Sequence, residues 1–492
     1  MTKFIDAVES EEKNQKTRTT NGMKARVSTA NDCVDLFFKI GASRGQDIIP
    51  QFIKAFNEDK DIALKIAQWA RDVRGGAGER QLFRDILLHL EIHHPVDLIS
   101  LIPNIVEVGR ADDLLIFKTN RIKSIVFEMF SKEIINENRL FCKWTPREGS
   151  SKSQIAYELR KYMGLTPKAF RKLLVKGTKV VESEICANKW NDINFSHVPS
   201  KAMSIYKNAF NRHTSKFQEY LNALQSGDPS VKINAGAIFP HEVIGHVNRF
   251  KYVDSNTHES ELITISEQWK ALPDYLDGSN LLAMVDTSGS MYAAQIPGSS
   301  YFAGDVAVAL GLYISDKSKS AFKDLFLTFS SDPEFVHVKG NIIEKIKQIS
   351  TAKWNQSTDL LKAVKLILDT AIKGSVDPSE MPKTLLILSD MQFNSSWNNN
   401  SSWNNIGKDL TAFKSIKKMY KDAGYEIPNI VFWNLCARDN VPVKFDRSGV
   451  ALVSGFSPSI IKSILSSSDD FTPMGIMMKA LSDPRYNLNT IF

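Results

Sequence analysis

The stretch that decides the fold is LLAMVDTSGSM, which spans residues 281 to 291. Its first half is an apolar run that is too short for an average helix and typical of a buried β-strand. Its second half places Asp286, Ser288 and Ser290 at alternate positions on a glycine-containing loop. In an open α/β sheet, ligands bind outside the carboxyl ends of the strands. The pattern therefore predicts either a binding loop with one carboxylate and two hydroxyls or an ordinary Ser/Gly turn that caps a helix.

The order Asp-x-Ser-x-Ser after a hydrophobic strand resembles the metal-ion-dependent adhesion site of von Willebrand factor A domains. A ligand set made only of oxygen atoms, without Cys or His, suits a hard cation that keeps some of its waters. We therefore expect Mg²⁺, or Mn²⁺ in its place, as the cofactor.

The resemblance also implies a Thr from a second loop and an Asp after a central strand. WNQSTDL, residues 354 to 360, places Thr358 at the start of a predicted helix. TLLILSD, residues 384 to 390, is a second predicted buried strand and ends in Asp390. These pieces occur in the order of the family, which favours the metal site over the plain turn. The implied metal ligands are Asp286, Ser288, Ser290, Thr358 and Asp390.

The composition is that of a soluble globular protein with two or more domains. The chain has 492 residues, of which 43% are hydrophobic and 24% are charged. No apolar run approaches the roughly 20 residues that span a bilayer, and the first residues lack the basic-then-apolar order of a secretory signal. The four cysteines are scattered, without metal-type or redox-type spacing. We therefore expect a cytoplasmic protein with reduced thiols, no disulfide and no membrane contact.

The net charge of +7 is unevenly distributed along the chain. Residues 271 to 492 carry 22 basic and 22 acidic side chains, so this part is neutral. Residues 1 to 270 carry 40 basic and 33 acidic side chains and hold the whole excess. A basic balance favours polyanionic partners through counterion release. The alternative is that solvated helix faces simply carry more Lys than Glu.

Hydrophobic periodicity divides the chain into a helical part and an α/β part. Apolar residues recur at intervals of three and four over most of residues 31 to 224, which predicts an α-solenoid of paired helices. From residue 281 onward, predicted strands alternate with helices, as in a doubly wound, mainly parallel sheet. The predicted fold class is therefore multidomain, α plus α/β. The predicted domains are a flexible N-terminal arm (1–25), a helical domain (26–250), a linker with one docking helix (251–277) and an α/β domain (278–492).

A glycine-rich junction, RDVRGGAGERQLFRD, begins at Arg71. Glycines beside arginines at a helix junction can hold phosphate through backbone N–H groups and guanidinium forks. Alternatively, the glycines end one helix and the arginines pair with Asp72, Glu79 and Asp85. On the first interpretation, the candidate RNA-binding residues are Arg71, Arg74, Arg80 and Arg84.

A second basic stretch covers residues 141 to 182 and carries interleaved aromatic residues. Lys and Arg suit the phosphates of single-stranded nucleic acid, and aromatic rings suit base stacking. The aromatic side chains Trp144, Tyr162 and Phe170 fit helix-core positions equally well. The candidate RNA-binding residues in this stretch are Lys143, Arg147, Lys168, Arg171, Lys172 and Lys176.

Several landmarks of the first 213 residues resemble those of an uncharacterised family in which a helical region precedes a von Willebrand A-like domain. They are RDVRGGAGER, VGRADDLL, KWTPREGS, LTPKAFRKLL, and NKWNDINFSHVPSKAM followed by AFNRH. The layout is similar to that of the TROVE proteins, the Ro autoantigen group, whose helical HEAT-like ring binds noncoding RNA. This resemblance implies a HEAT-like solenoid or ring that holds RNA.

We therefore expect a noncatalytic, Ro-like protein that binds noncoding or structured RNA without DNA sequence specificity. Its A-like domain would bind a protein partner that donates a carboxylate to the metal, and Trp397 and Trp403 of the repeated SSWNN would lie on the rim of that site. One alternative is a metal-dependent interaction scaffold without nucleic acid. A metal-dependent enzyme is less favoured, because one cation held mainly by hydroxyls suits two-metal phosphoryl chemistry poorly.

Overall fold

The computed structural model describes residues 16–20, 22, 24–247, 259–329, 332–351, 360–393, 412–437, 441–466 and 470–488. Within these ranges, no helix combines the length and the apolar character needed to cross a membrane. The four cysteines are all free thiols.

The chain begins with a hairpin of two antiparallel strands, β1 (Lys16–Arg18) and β2 (Lys24–Arg26). Its stem is joined to the α/β part, because the backbone N–H groups of Arg26 and Val441 each donate to the other residue's carbonyl oxygen, at 2.9 and 3.0 Å. Residues 16–18 and 24–26 are therefore paired and attached, whereas most of the predicted flexible arm (1–25) lies outside the described residues. Local composition indicates only a polar arm. Val441, the residue that pairs with Arg26, is more than 400 positions away and leaves no local signal.

Helices fill most of the chain between residues 32 and 270. Several begin where a side chain caps the first turn: Asn31, Asp59 and Thr166 each accept a hydrogen bond from the backbone N–H three residues ahead. The longer helices are α1 (Asp32–Ile40), α2 (Ile49–Glu58), α3 (Lys60–Arg71), α4 (Arg80–His93), α5 (Pro95–Val108), α6 (Asn120–Ile135), α8 (Ser153–Tyr162), α9 (Pro167–Gly177), α11 (Ser200–His213), α12 (Lys216–Gln225) and α14 (Glu259–Lys270). The short ones are α7 (Arg139–Trp144), α10 (Val181–Cys186) and α13 (Pro240–Ile244).

The α/β part is built on one six-stranded sheet. Its strands are β3 (Leu281–Asp286), β4 (Leu325–Phe329), β5 (Phe335–His337), β6 (Thr384–Ser389), β7 (Asn429–Asn434) and β8 (Val450–Ser454). Neighbouring strands follow the order β5-β4-β3-β6-β7-β8, and all pairs are parallel except β4 with β5. The remaining helices are α15 (Ala303–Lys317), α16 (Ile342–Thr351), α17 (Leu360–Gly374), α18 (Ala412–Asp422), α19 (Ile460–Leu465) and α20 (Pro473–Ala480).

Both faces of this sheet are covered. Every residue of β3, β6 and β8 is buried, although successive side chains of a strand point to opposite faces. A parallel sheet of this kind needs cover on both sides. The prediction of a helix-rich chain with a mostly parallel α/β sheet is therefore confirmed.

The strand order contains one topological switch point. From β3 the chain builds β4 and β5 on one side, and it then crosses to β6 on the other side. A crevice outside the carboxyl ends of the strands forms where the strand order reverses in this way. The carboxyl ends of β3 and β6 therefore mark the position at which a ligand of this sheet is expected.

The helical part and the sheet share one hydrophobic core. A continuous cluster of buried apolar side chains runs from α1 through α9 and on into all the long strands. The carboxyl end of α1 lies against β8: the Ser454 hydroxyl donates to the carbonyl of Phe37 at 2.8 Å, and the Gly41 N–H donates to the Ser454 hydroxyl at 3.0 Å. Residues between 181 and 233, with Ile263, form a second and smaller core.

Helix α14 lies within the predicted linker (251–277) and contacts the α/β part. The indole N–H of Trp269 donates to the carboxylate of Asp316 at the end of α15, at 2.8 Å. On its other side, the Gln268 side-chain amide donates to the carbonyl of Ser200 at the start of α11. The helix therefore ties the smaller core to the sheet.

The last described residues return to the first helices. The Arg485 guanidinium and the Tyr486 hydroxyl both donate to the buried carboxylate of Asp72, at 2.9 and 3.0 Å. The side-chain amide of Gln68 donates to the carbonyl of Tyr486 at 3.0 Å. The last described residues are thus attached to α3 and to Asp72, the residue that follows it.

Replacing Gly41 by Ala tests whether the close approach of α1 to β8 matters for stability. A Cβ atom at this position would overlap the backbone carbonyl of Ser454. We expect the free energy of unfolding to fall by about 1–3 kcal/mol, the usual cost of overpacking. Urea unfolding measures this free energy. Gly236→Ala, where a Cβ atom meets no other atom within 4 Å, is the matched control. Equal stability of the two variants would contradict a tight contact between helix and strand.

Candidate metal centre

The loop after β3 brings the first three predicted metal ligands together. Asp286 is fully buried at the end of the strand, and one of its carboxylate oxygens accepts the N–H of Ser288 at 2.9 Å. The hydroxyl oxygens of Ser288 and Ser290 lie 3.0 Å apart. One carboxylate and two hydroxyls therefore converge at this end of β3.

The loop after β6 lies beside the loop after β3. Because β3 and β6 pair in parallel, with Val285 opposite Leu388, their carboxyl ends are level. The Ser389 hydroxyl donates to the second carboxylate oxygen of Asp286 at 2.6 Å. Asp390 follows directly and is fully buried. The two predicted carboxylate ligands are therefore brought to one place by strand pairing.

The electrostatics of this place favour a cation. Burial, together with the nearby Asp390 carboxylate, raises the pKa of Asp286 to about 7, although hydrogen bonds from Ser389 and Ser288 act in the opposite direction. Two carboxylates in a dry environment repel each other and each loses hydration. A bound divalent cation would offset both penalties, because it neutralises the pair and takes the place of the lost hydration.

The backbone of the β6 loop is also unusual. Met391, directly after Asp390, has a positive φ of 64° and is buried. Its N–H donates to the Ser389 hydroxyl at 3.1 Å. A non-glycine residue in this region is held there by its surroundings, and such residues cluster at binding sites. The loop geometry that presents Asp390 is thus maintained at a cost in backbone energy.

The donor set fits a hard cation better than a soft one. Among the described residues, no group of three or more His, Cys, Asp or Glu side chains has a metal-binding arrangement. The candidate site relies instead on two carboxylates and on hydroxyls. In the same loop the Thr287 hydroxyl is buried and has no hydrogen-bond partner among the described residues. A buried polar group of this kind is explained most simply by a water or an ion.

Three predicted site residues lie outside the described residues. They are the fifth implied metal ligand, Thr358, and the two rim tryptophans, Trp397 and Trp403. The helix that Thr358 was predicted to start is present as α17, from Leu360 onward.

The arginines of the glycine-rich junction mostly face inward. Arg71 and Arg84 are buried and form ion pairs with the fully buried Asp113, at 2.8 and 2.6 Å. Arg80 is partly exposed and pairs with Asp112 at 3.0 Å. Only Arg74 of the four is exposed. We therefore leave Arg71 and Arg84 out of any RNA-binding surface, because guanidinium groups held inside the protein are not offered to phosphate.

The acidic partners are not the ones that sequence proximity suggests. The carboxylates of Asp112 and Asp113, which lie about 30 to 40 residues away, take the role expected of Asp72, Glu79 and Asp85. Burial raises the pKa of Asp112, but the hydrogen bond and charge of Arg110, with those of Arg80 and Arg84, outweigh it and lower the pKa to about 2. The sequence did carry a signal, since two adjacent carboxylates stand inside the otherwise apolar ADDLLI.

The glycines of the junction serve close packing. A Cβ atom on Gly76 would overlap the carbonyl oxygen of Trp69, and a Cβ atom on Gly75 would lie 3.1 Å from the Asp72 carboxylate. The carbonyl of Gly76 accepts a hydrogen bond from the Ser459 hydroxyl at the start of α19, at 3.4 Å. These contacts support the structural interpretation of the glycines over a phosphate-binding loop.

The second basic stretch divides into inward and outward residues. Lys143 pairs with Glu182 at 2.9 Å, and Arg147 donates to the carbonyls of Cys142 and Thr145, both at 3.2 Å. On α9, by contrast, the side chains of Lys168, Arg171, Lys172 and Lys176 are all exposed. Lys176 forms an ion pair with Glu137.

The aromatic side chains of this stretch divide in the same way. Phe170 is buried, and Trp144 lies under the Arg110 guanidinium, 3.5 Å from the ring centroid. Tyr162 is 47% exposed. Tyr157, which the sequence analysis did not single out, is 40% exposed, with Arg160 and Lys161 near its ring. Two tyrosines on α8 therefore remain available for stacking.

Two protein-family models divide the chain at the same point as the structure. Residues 19–113 and 117–282 match the model described as Domain of unknown function (DUF2828). The chain belongs to the DUF2828 family. Residues 280–480 match a second model, Domain of unknown function (DUF7788). The boundary between the two matches falls at the start of β3, so DUF2828 corresponds to the helical part and DUF7788 to the sheet.

A viral protein shares both parts. The chain is 30% identical over 533 residues to an uncharacterized protein of Acanthamoeba polyphaga mimivirus. The alignment covers 96% of this chain and 88% of the viral protein. The helical part and the sheet therefore occur together in this relative as well.

Replacing Asp113 by Ala tests the internal role of the arginines. The substitution leaves the guanidinium groups of Arg71 and Arg84 buried without this carboxylate, so the free energy of unfolding should fall by about 3–5 kcal/mol. Asp85→Ala is the control. The Asp85 carboxylate lies on α4 and accepts an exposed hydrogen bond from Gln81. Its removal should change the free energy of unfolding by less than about 1 kcal/mol. Chemical unfolding of both variants provides the comparison. A mild effect of Asp113→Ala would mean that the buried pairs are not needed for the fold.

Proposed function

We propose that this protein is a noncatalytic RNA-binding protein that also captures a protein partner through a divalent cation. In this proposal the DUF7788 part is a von Willebrand A-like domain, and the helical part is a HEAT-like scaffold of Ro-like layout. The observation that carries the proposal is the meeting of the Asp286 loop and the Asp390 loop at the switch point of the sheet. The sequence resemblance alone names the ligand residues. The contact between Ser389 and Asp286 adds that the two loops lie side by side.

The residues of the metal centre would divide the work as follows. A bound Mg²⁺ or Mn²⁺ supplies an open coordination position, which a Glu or Asp carboxylate of the partner can fill. Asp286 and Asp390 hold negative charge in a buried place, so they hold the cation without offering themselves to solvent. Ser288, Ser290 and Thr358 contribute neutral oxygens, which leave more of the cation's charge for the partner than further carboxylates would.

The outward face of α9 supports the RNA half of the proposal. Lys168, Arg171 and Lys172 are exposed and have no carboxylate partner among the described residues. Tyr162 at the end of the preceding helix offers an exposed ring next to them in sequence. Basic side chains with accessible aromatic rings suit single-stranded regions of an RNA, with phosphates held by charge and bases stacked on rings.

One observation favours the alternative, a metal-dependent interaction scaffold without nucleic acid. The buried pairing of Arg71 and Arg84 removes two of the candidate phosphate contacts, and Lys143 is also paired. The candidate residues that remain exposed are then Arg74 and the four basic residues of α9. Salt-sensitive binding of RNA by the purified protein separates the two proposals, since the scaffold would show none.

The RNA half predicts a local loss of binding. We expect the triple variant Lys168→Ala, Arg171→Ala, Lys172→Ala to bind a single-stranded oligo(U) RNA at least about tenfold more weakly at 0.1 M salt, because phosphate contacts dominate affinity. The slope of log K against log salt should fall in magnitude by about 2, since each contact to a single strand contributes about 0.7. Fluorescence anisotropy over a salt series measures both quantities.

A matched triple variant controls for net charge. Lys417, Lys418 and Lys421 are exposed on α18 in the sheet part, and their replacement by Ala removes the same charge. Wild-type affinity is expected for this control. If both triple variants lost affinity equally, binding would reflect overall charge and the α9 surface would be abandoned.

The metal half predicts a selective loss of cation binding. Asp286→Asn keeps the shape of the side chain and removes its charge, so Mn²⁺ affinity should fall by about a hundredfold or more, while RNA binding stays at the wild-type level. Titration of Mn²⁺ followed by electron paramagnetic resonance measures the first quantity. Asp377→Asn, at an exposed position before β6, is the control. Wild-type Mn²⁺ binding by Asp286→Asn would refute the site.

A further inference from the structure

The N-terminal hairpin, residues 16 to 26, contacts the very loop that presents Asp390. In the turn between its strands, the buried Thr19 hydroxyl donates to the carbonyl of Phe393 at 2.6 Å. The N–H of the next residue, Thr20, donates to the side-chain carbonyl of Gln392 at 2.7 Å. Gln392 is itself buried. Two hydrogen bonds thus join the tip of the hairpin to residues two and three positions beyond the candidate metal ligand.

A chain of contacts continues from this loop to the other metal loop. The N–H of Gln392 donates to a carboxylate oxygen of Asp390 at 3.1 Å. One residue before Asp390, the Ser389 hydroxyl donates to Asp286. The same Gln392 therefore contacts Asp390 with its backbone and Thr20 with its side chain. A change in the position of Asp390 is transmitted to the hairpin through one residue.

The stem of the hairpin is anchored separately. Arg26 pairs with Val441, and Thr29 accepts the N–H of Phe445 at 3.0 Å through its carbonyl. Both partners lie in the connection between β7 and β8, away from the Asp390 loop in sequence. The stem can therefore stay in place while the tip docks on the Asp390 loop or leaves it.

The backbone between Asp390 and Gln392 is not in a relaxed conformation. Met391, with its positive φ, separates Asp390 from Gln392. A strained position of this kind persists only where neighbouring contacts hold it. On one side those contacts come from Ser389, and on the other side they come from the hairpin.

We propose that the N-terminal hairpin regulates the candidate metal centre, so that docking of the hairpin tip and binding of a divalent cation strengthen each other. The inference rests on the metal site put forward above. Coupling of this kind is reciprocal: if the docked tip increases cation affinity by a factor, the bound cation stabilises docking by the same factor. A protein or modification that lifts the tip from Gln392 and Phe393 would therefore weaken binding of the cation, and with it binding of the partner.

Hydrogen exchange of the wild-type full chain tests the coupling without any substitution. With saturating Mg²⁺, we expect amide exchange in residues 16 to 26 to slow by about fivefold or more, the lower range of typical coupling. Peptides from α11 serve as the internal reference and should not change. Cation binding that leaves exchange of the hairpin unaltered would overturn the regulatory role while leaving the metal site intact. Failure of the wild-type protein to bind Mg²⁺ or Mn²⁺ would overturn both.

The reciprocal test uses two identical substitutions within the hairpin. Thr19→Val removes the hydroxyl that donates to Phe393 and keeps the shape of the side chain. Thr17→Val, on β1, makes the same change away from the Asp390 loop. We expect the Mn²⁺ dissociation constant to rise about fivefold in Thr19→Val and to stay at the wild-type value in Thr17→Val. Equal dissociation constants in both folded variants, as judged by circular dichroism, would contradict the proposal.

Discussion

The parallel pairing of β3 with β6 places both candidate metal loops at one edge of the sheet. A parallel pair aligns the carboxyl ends of its strands, so Asp286 and Ser389 meet although more than one hundred residues separate them. The register leaves little freedom, because a slip of one residue would exchange the side chains of β3 between two packed faces and disrupt the packing on both. The alignment brings the two buried carboxylates close together, and the charge of Asp390 adds to burial in raising the pKa of Asp286.

The helical part supports the same edge from outside. Helix α1 ends against β8, and the glycine-rich junction after α3 packs against the loop that follows β8. The close approach of α1 to β8 depends on Gly41, which has no side chain, and Gly76 lets the junction itself turn tightly against the carbonyl of Trp69. The helices therefore cover the far strands of the sheet, whereas the loop after β6 is contacted by the N-terminal hairpin.

Local patterns in the sequence were sufficient to predict most strands and helices and the position of the loops that carry Asp286 and Asp390. The runs before Asp286 and Asp390 are apolar enough to be recognised as buried strands, and the ligand residues follow them at once. Contacts between distant residues were not visible in the same way. Arg71 and Arg84 have nearby carboxylates in the sequence, yet they pair with Asp113 in space, because only the fold determines which charges are buried together. The hairpin was missed for the same reason.

The order in which the chain is synthesised gives the contact between α1 and β8 a further meaning. The carbonyl groups of Phe37 and Phe38 find their side-chain partners in Ser454 and Asn434, about 400 residues later. A ribosome adds roughly 5–20 residues per second, so α1 waits on the order of tens of seconds before the surface that covers it exists. During that time α2 and α3 can already pack against α1, but the part of α1 that contacts β8 remains open to water and to other chains. A chaperone that binds the nascent helices would protect the protein most in this interval. Once β8 has been synthesised, it would cover the exposed part of α1.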